Sequence, residues 1–414
     1  MPRLTEVPGY PRFWTATAIS SFGSQITALA LPVLTAITLH ASATQVGLVN
    51  AARWAPYLLF GLLAGALVDR CRRRPVLIAT DFGRAALLLA IPLLYAADVL
   101  SIGALCVIVF AFGALCLLFE AADQSFVPRL VPPGLLNSGY ARLEQADAAA
   151  RAGGPLLAGV LIKWVGAPVA VLLDAITYLI SGLLLIGVRK PEPVPDRSER
   201  RTLVRELREG LAWVYRHRTL APMALTSHAM LLFNTVVSTV FVVFALRVLE
   251  IGGFGLGVAY ACGGVGAVLG GAVSARVARR LDVGRTVVAG RLIAAIGWLP
   301  LVLAEPGPWA LPAVSAAHFV LWLGVGIEGP VSMGYRNSVT PDRLRGRMNA
   351  TIRSFNWGMV AIGAPAGGLM ADHIGYRFAL WTGLTGAVAQ ALTLAASPTR
   401  HARGADALTP SAAT

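Results

Sequence analysis

A carboxylate inside an apolar run needs a reason, because at mid-membrane each costs about 2.5–3.5 kcal/mol on insertion scales. Glu120 and Glu328 are two such residues, 208 positions apart in the chain. Burial in a poorly hydrated site disfavours the charged carboxylate. A group so placed could load a proton on one side of a membrane and release it on the other. Glu328 has no ionisable residue within a turn of its own helix, whereas Asp123 lies one turn from Glu120. Glu328 is therefore the first candidate for a coupling proton and Glu120 its counterpart. The competing reading is a permanently paired structural carboxylate, with Arg291 or Arg353 as partner. Glu144, Asp147 and Arg151 fall at i, i+3 and i+7, on one face of a helix. Asp147 and Arg151, at i and i+4, can pair. That spacing favours a self-neutralised cluster, with Glu144 and Asp147 as the next proton candidates.

Gln25, Asn234 and Asn356 are polar near the middle of other apolar runs. With Arg151 they are the candidates for binding a substrate in a cavity, or else they bond a neighbouring helix. His228 and His318 could handle protons, although a lone histidine in such a run is more often a helix–helix hydrogen bond. Asp81, Arg84 and Arg291 lie low in their runs and are placed to brace the adjoining loops. The sequence contains no Walker loop and no soluble catalytic constellation. ATP is thus not expected as the direct energy source, nor is an enzyme expected. The glycines of 252–271 have the small-residue spacing of close helix packing rather than of a phosphate loop. Cys71, Cys106, Cys116 and Cys262 form no CxxC pair, so no disulfide framework, metal site or cofactor is expected.

The elements that must position these residues follow from composition. The chain has 414 residues, 56% of them hydrophobic and 14% charged, against about 25% charged in a soluble domain. Lipid must cover much of it. An apolar run of about 20 residues spans the bilayer as a helix. Twelve such runs are readable, at about 13–38, 45–68, 76–97, 101–127, 139–163, 168–188, 220–248, 254–275, 285–304, 309–334, 347–371 and 376–396. The one long polar segment, 189–218, divides them into two sets of six: an N-terminal bundle over 1–188 and a C-terminal bundle over 219–397. A tail, 398–414, is expected to be disordered. Within the central segment Leu203, Leu207, Leu211 and Val214 recur at helical spacing. They predict an amphipathic helix on the membrane surface, or else the segment is an ordinary linker.

Alternate loops carry the arginines: Arg70–Arg74, Arg129 with Arg142, the central segment, Arg276–Arg285 and Arg336–Arg347. Basic loops stay in the cytoplasm, so both termini are expected there, in a multi-pass protein of the inner (plasma) membrane. The formal net charge of +14 is then a topology signal, and nucleic acid is excluded as a partner. Only Lys163 and Lys190 among 35 basic residues are lysine, a composition bias rather than a function.

The halves repeat. "EAADQSFVPRLVPP" from Glu120 matches "EGPVSMGYRNSVTP" from Glu328, and Pro133 and Pro341 are also 208 apart. Gly83–Arg84 recurs as Gly290–Arg291, and "GALVDRCRRR" at Gly65 as "GAVSARVARR" at Gly271. Repeated halves suit alternating access around a midplane site. Gly65-x-Leu67-x-Asp69-Arg70 followed by Arg73-Arg74, the loop between runs 2 and 3, resembles that of the major facilitator superfamily, with Arg72 where a glycine is usual. "SSFGSQITALALP" in run 1 and "ARAGGPLLAG" in run 5 resemble its drug:proton antiporter branch, which includes macrolide efflux pumps and the enterobactin exporter. The resemblance implies an all-α membrane fold of twelve helices in two pseudo-symmetric six-helix bundles. Runs 1, 4, 7 and 10 then line a central cavity. It also implies a conformational latch of Gly65, Asp69, Arg70, Arg73 and Asp123. In that latch Asp69 lies against the start of run 11 and Arg70 binds Asp123. The alternative is that the loop charges only set topology.

The reading is a proton-driven exporter of an amphipathic drug, antibiotic or secondary metabolite, expected to work as a monomer. A dedicated siderophore or metabolite exporter is the nearest rival. An uptake symporter and a non-transporting receptor stand further off.

Overall fold

The computed structural model describes residues 4–188 and 203–403, apart from the side chains of Leu62, Ala66, Asp69, Leu203, Val204, Glu206 and Leu207. Among the described residues every regular element is helical. The helix boundaries follow local chemistry. Ser42 caps α2 (Ala43–Asp69) in a reciprocal capping box with Gln45, which satisfies two otherwise orphaned backbone donors. The Ser101 side chain accepts from Ala104 N at the start of α4 (Ile102–Leu130). Between α2 and α4 lies α3 (Arg73–Ala96). The first helix, α1 (Tyr10–Val33), ends in a π turn, Leu34–Thr38.

A continuous helical assignment, α5, runs over Leu136–Ile186 but reverses at Gly166, whose φ is 81°. Left-handed backbone of this kind suits glycine, and it divides α5 into two passes. A short amphipathic helix, α6 (Leu203–Arg216), precedes α7 (Leu220–Arg247) and α8 (Gly252–Leu281). Next come α9 (Val283–Gly297), its short continuation α10 (Leu299–Val302), and α11 (Ala310–Ser338). The last two are α12 (Asp342–His373) and α13 (Tyr376–Ala396). Nine helical stretches among the described residues are long and apolar enough to cross a membrane. Dividing α5 at Gly166 and adding α2 and α12, of 27 and 32 residues, is consistent with twelve passes.

Contacts divide the described chain into two compact units, 4–188 with 252–261, and 203–251 with 262–403. In the first, α1 and α3 pack on α5, and α4 packs on α2 and α3. In the second, α7 packs on α12 and α13, and α9 packs on α11 and α13. The most exposed large side chains include Trp164 and Trp309. Both lie at helix ends away from the arginine loops, where amphipathic indole rings suit a membrane interface.

Two segments expected outside the bundles make contacts with them. Helix α6 is not left on a surface by itself; it packs on α12 and α7. Its Val214 is fully buried, and Trp213 Nε1 donates to Thr340 Oγ1 at 3.1 Å. Arg347 of α12 pairs with Glu209. The first residues of the expected disordered tail are also packed. Pro398–His401 forms a 3₁₀ turn with Thr399 buried, and Gly284 N donates to Ala402 O at 3.0 Å. Residues 189–202 and 404–414, which hold the rest of the expected linker and tail, are outside the described residues.

Candidate functional site

Each unit buries a polar cluster around one arginine. In the second unit that arginine is Arg291 on α9, with a fully buried side chain. Its Nη1 donates to Thr226 Oγ1 at 2.5 Å, and its Nη2 to Ser227 Oγ at 2.6 Å and Met223 O at 3.4 Å, all on α7. Its Nε faces Glu328 Oε2 on α11 at 3.5 Å. Small residues allow this approach. A Cβ on Gly324 would clash with Ala294 N and Gly290 O, so only glycine there lets α9 and α11 meet backbone to backbone, as small residues do in membrane bundles. Glu328 thus has as partner one of the two arginines named for the competing structural reading.

Next to Ser227 on α7, His228 joins α6 to α12. Its Nδ1 faces Asn356 Oδ1 at 2.7 Å and its Nε2 faces the Tyr215 hydroxyl at 2.9 Å. An amide oxygen accepts only, so Nδ1 carries the hydrogen, and the tyrosine hydroxyl, able to donate or accept, satisfies Nε2. The Nδ1 of His318 faces Val314 O, at 3.2 Å on its own helix. Its ring packs against Phe241 and Trp298. Asn234 Oδ1 accepts from Trp298 Nε1 at 2.7 Å.

In the first unit the central arginine is Arg84 on α3. It pairs with Asp81, and the two side chains are 6% and 0% exposed. Ser181 Oγ donates to Asp81 Oδ2 at 2.7 Å. The guanidinium lies 4.0 Å from the Phe119 ring centre and 4.3 Å from that of Tyr178, and cation–π contact helps hold a desolvated cation. Asp81, Arg84 and Arg291 therefore serve helix packing in the described structure, not the loops they were expected to brace. Glu120 Oε1 accepts from the Tyr57 hydroxyl at 2.7 Å. Asp123 Oδ1 is buried with no hydrogen-bond partner among the described residues.

The remaining candidates separate. Arg151 binds both Asp147 and Glu144 Oε1, the latter at 2.8 Å, and the Glu144 side chain is 76% exposed. Gln25 is half-buried and packs beside Gly154. The structure brings Arg73 back onto the loop, where Nη1 donates to Cys71 O at 3.3 Å. Arg70 is exposed, and no Arg70–Asp123 pair is present among the described residues. A Cβ on Gly65 would meet nothing within 4 Å, so this glycine makes no close approach here. The Asp69 side chain lies outside the described residues. Arg74 donates to Leu185 O and Ile186 O, at 3.3 and 2.5 Å, and so caps the end of α5.

Two further charges lie in these passes without an expectation from sequence. Asp174 is fully buried on α5; its Oδ1 accepts from Thr177 Oγ1 at 2.9 Å and its Oδ2 has no partner among the described residues. Arg53 on α2 lies 5.5 Å from the Trp54 ring and 5.8 Å from that of Phe112. Both are charges inside apolar runs, the signal that picks out Glu120.

Comparison with known proteins agrees with this architecture. The Major Facilitator Superfamily profile matches residues 13–352. The chain is 23% identical over 394 residues to the uncharacterized MFS-type transporter YfiS of Bacillus subtilis (strain 168), covering 91% of this chain and 90% of that protein. It is 26% identical over 407 residues to the uncharacterized MFS-type transporter y4rN of Sinorhizobium fredii (strain NBRC 101917 / NGR234), covering 95% and 96%. Among solved structures, a mutant form of the nucleoside transporter NupG superposes with a TM-score of 0.76 at 10% identity, over 94% of this chain and 98% of that one. A bacterial homologue of the iron transporter ferroportin, in an inward-facing state, gives 0.72 at 14% identity over the same shares. At such identities the structural likeness speaks for the fold alone. With helices that satisfy their backbone groups internally, as a bilayer demands, and a profile match over most of its length, this chain belongs to the Major Facilitator Superfamily and is a multi-pass membrane transporter.

Proposed function

We propose that the protein is a secondary active transporter of the drug:proton antiporter branch. It exports an amphipathic drug, antibiotic or secondary metabolite in exchange for protons by alternating access. It does so as a monomer in the plasma (inner) membrane, with both termini cytoplasmic. The observation that carries the proposal is the contact between Arg291 and Glu328, a buried ion pair made at a single long edge of 3.5 Å. The other two guanidinium nitrogens are bound to α7 through Thr226, Ser227 and Met223 O. A proton on Glu328 removes the charge that holds α11 to α9 and leaves Arg291 held by α7. A protonation event in the membrane thereby becomes a change in which helices are tied together. An alternating-access cycle needs such a link, because a ligand shifts a conformational equilibrium only by binding its two states differently.

In this reading Glu328 carries the coupling proton, with Glu120 as its repeat partner. Glu144 and Asp147 are reserves, and Gln25, Asn234, Arg151 and Asn356 are substrate contacts. Gly65, Asp69, Arg70, Arg73 and Asp123 form the latch, made in a state other than the one described. A cationic amphipathic substrate would compete with the proton by stabilising the charged carboxylate. A dedicated siderophore or metabolite exporter would use the same coupling with a narrower cavity.

Growth inhibition by a panel of amphipathic antibiotics, in an efflux-deficient host, tests the direction of transport. Expression should raise the inhibitory concentration of at least one cationic member about fourfold or more, as expected when efflux outpaces passive entry. Greater sensitivity across the panel would instead mean uptake.

A further inference from the structure

An open cleft of about 530 Å³ lies at the basic end of the second unit, lined by Arg218, Thr219, Ser397, Arg400 and His401. It sits where two membrane passes stop. Helix α7 begins at Leu220 and α13 ends at Ala396, so the cleft is at headgroup depth rather than in the hydrocarbon. No acidic residue lines it among the described residues. Three other arginines at this end are matched to carboxylates: Arg347 to Glu209, Arg345 to Asp342 and Arg403 to Asp282. Arg218 and Arg400 make no ion pair among the described residues.

The lining is also oriented. Arg400 Nε donates to His401 Nε2 at 2.7 Å, and Arg400 Nη1 contacts Ala395 O at 3.5 Å. Those bonds fix the guanidinium plane and leave Nη2 as an open donor. They also leave His401 with its hydrogen on Nδ1, a further donor. The turn that carries both residues is held down on α9, where Gly284 N bonds Ala402 O at 3.0 Å. Two guanidinium groups and an imidazole line one concavity with no counter-charge among the described residues. A tetrahedral oxyanion suits that donor set, since guanidinium forks match phosphate oxygens.

We propose that this cleft binds a phosphate-bearing anion, presented either by an acidic phospholipid headgroup or by free phosphate. Basic pockets at the ends of membrane helices hold anionic headgroups in this way. Occupancy would tie the start of α7 to the end of α13 through one ligand.

The test uses the full-length protein in detergent and follows its melting temperature. The probes are dihexanoyl phosphatidylglycerol, dihexanoyl phosphatidylcholine and sodium phosphate. The expected result is a saturable rise with phosphatidylglycerol, whose midpoint weakens about thirtyfold in R218Q/R400Q and about fivefold in R218Q alone. The variant R279Q/R280Q removes the same charge from the end of α8, outside the cleft, and should stay within about twofold of the parent. A saturable rise with sodium phosphate that the same variants weaken would also support the site and assign it to the soluble anion. Equal midpoints in parent and R218Q/R400Q for both anionic probes would overturn the proposal. So would an equal response to phosphatidylcholine, or a loss in R279Q/R280Q as large as in R218Q/R400Q.

Discussion

Arg84 and Arg291 hold matching places in the repeated halves yet are neutralised differently. Asp81 stands three residues before Arg84, whereas Val288 stands three residues before Arg291. Arg84 therefore finds its acid on its own helix, and Arg291 must reach across to Glu328 on α11. The first ion pair lies within α3, with Ser181, Phe119 and Tyr178 of neighbouring helices around it, while the second ion pair itself spans two helices and so depends on how they face each other. Removing one partner of a buried pair strands the other charge, at a cost of about 3–5 kcal/mol. Asp81→Asn should lower stability by that amount in thermal or denaturant unfolding in detergent. D81N/R84M should recover most of the loss, because an apolar replacement of both charges is often neutral. If the double variant is no more stable than D81N, the ion pair is not what Asp81 contributes. The carboxylates themselves are legible in the sequence, because a charge in an apolar run is conspicuous. Their partners are not. Whether Glu328 meets Arg291 or Arg353, and that Glu120 meets Tyr57 on α2, depends on which helices adjoin. Arg53 and Asp174 carry the same visible signal, but neither belongs to an echo between the halves, which is what drew attention to Glu120 and Glu328.

Among the elements, α6 shows where periodicity runs out. An apolar face at helical spacing fits a membrane surface and a protein groove equally well, so the spacing of Leu203, Leu207, Leu211 and Val214 predicts the helix without its resting place. The groove is visible only with α12 beside it. A Cβ on Gly210 would lie 3.1 Å from Arg347 Cβ and from Thr351 Oγ1, and 3.3 Å from Arg347 O. The missing side chain therefore lets α6 lie close against α12. Gly210→Leu would overpack that contact, at about 1–3 kcal/mol, and should lift the helix. Tryptic cleavage at the arginines of α6 in detergent-solubilised protein should speed up about tenfold, with global melting little changed; an unaltered cleavage rate would mean that α6 is held from elsewhere. Charge supports the same docking. The hydrogen bond from Arg205, with the nearby Arg347, holds the Glu209 carboxyl below the usual glutamate range. The sign follows: this contribution is full above the ordinary glutamate pKa and is lost as pH falls through the lowered value. Docking should thus be insensitive to pH near neutrality and weaken only in acid.

For the whole molecule, the membrane-spanning helices are legible because lipid imposes a length. The expected last run, about 376–396, coincides with α13. Deviations gather at the basic ends, where α8 continues to Leu281 and α12 begins at Asp342. Hydropathy registers the lipid-covered stretch and not the helical turns that protrude beyond it. The orientation in the membrane can be tested at Cys71, which is exposed in the arginine loop. An impermeant maleimide should label it in inverted vesicles and not in intact cells, and labelling of intact cells would reverse the proposed topology. Proton coupling is the central claim, and one flux measurement reaches it most directly. Inverted vesicles carry the parent, E328Q, or E328Q/E120Q, and are presented with a substrate identified in the growth panel. With an imposed pH gradient, the parent should concentrate the substrate and both variants should not, while downhill flux persists in all three. Accumulation by E328Q/E120Q equal to that of the parent would contradict the account and place the coupling proton on another group.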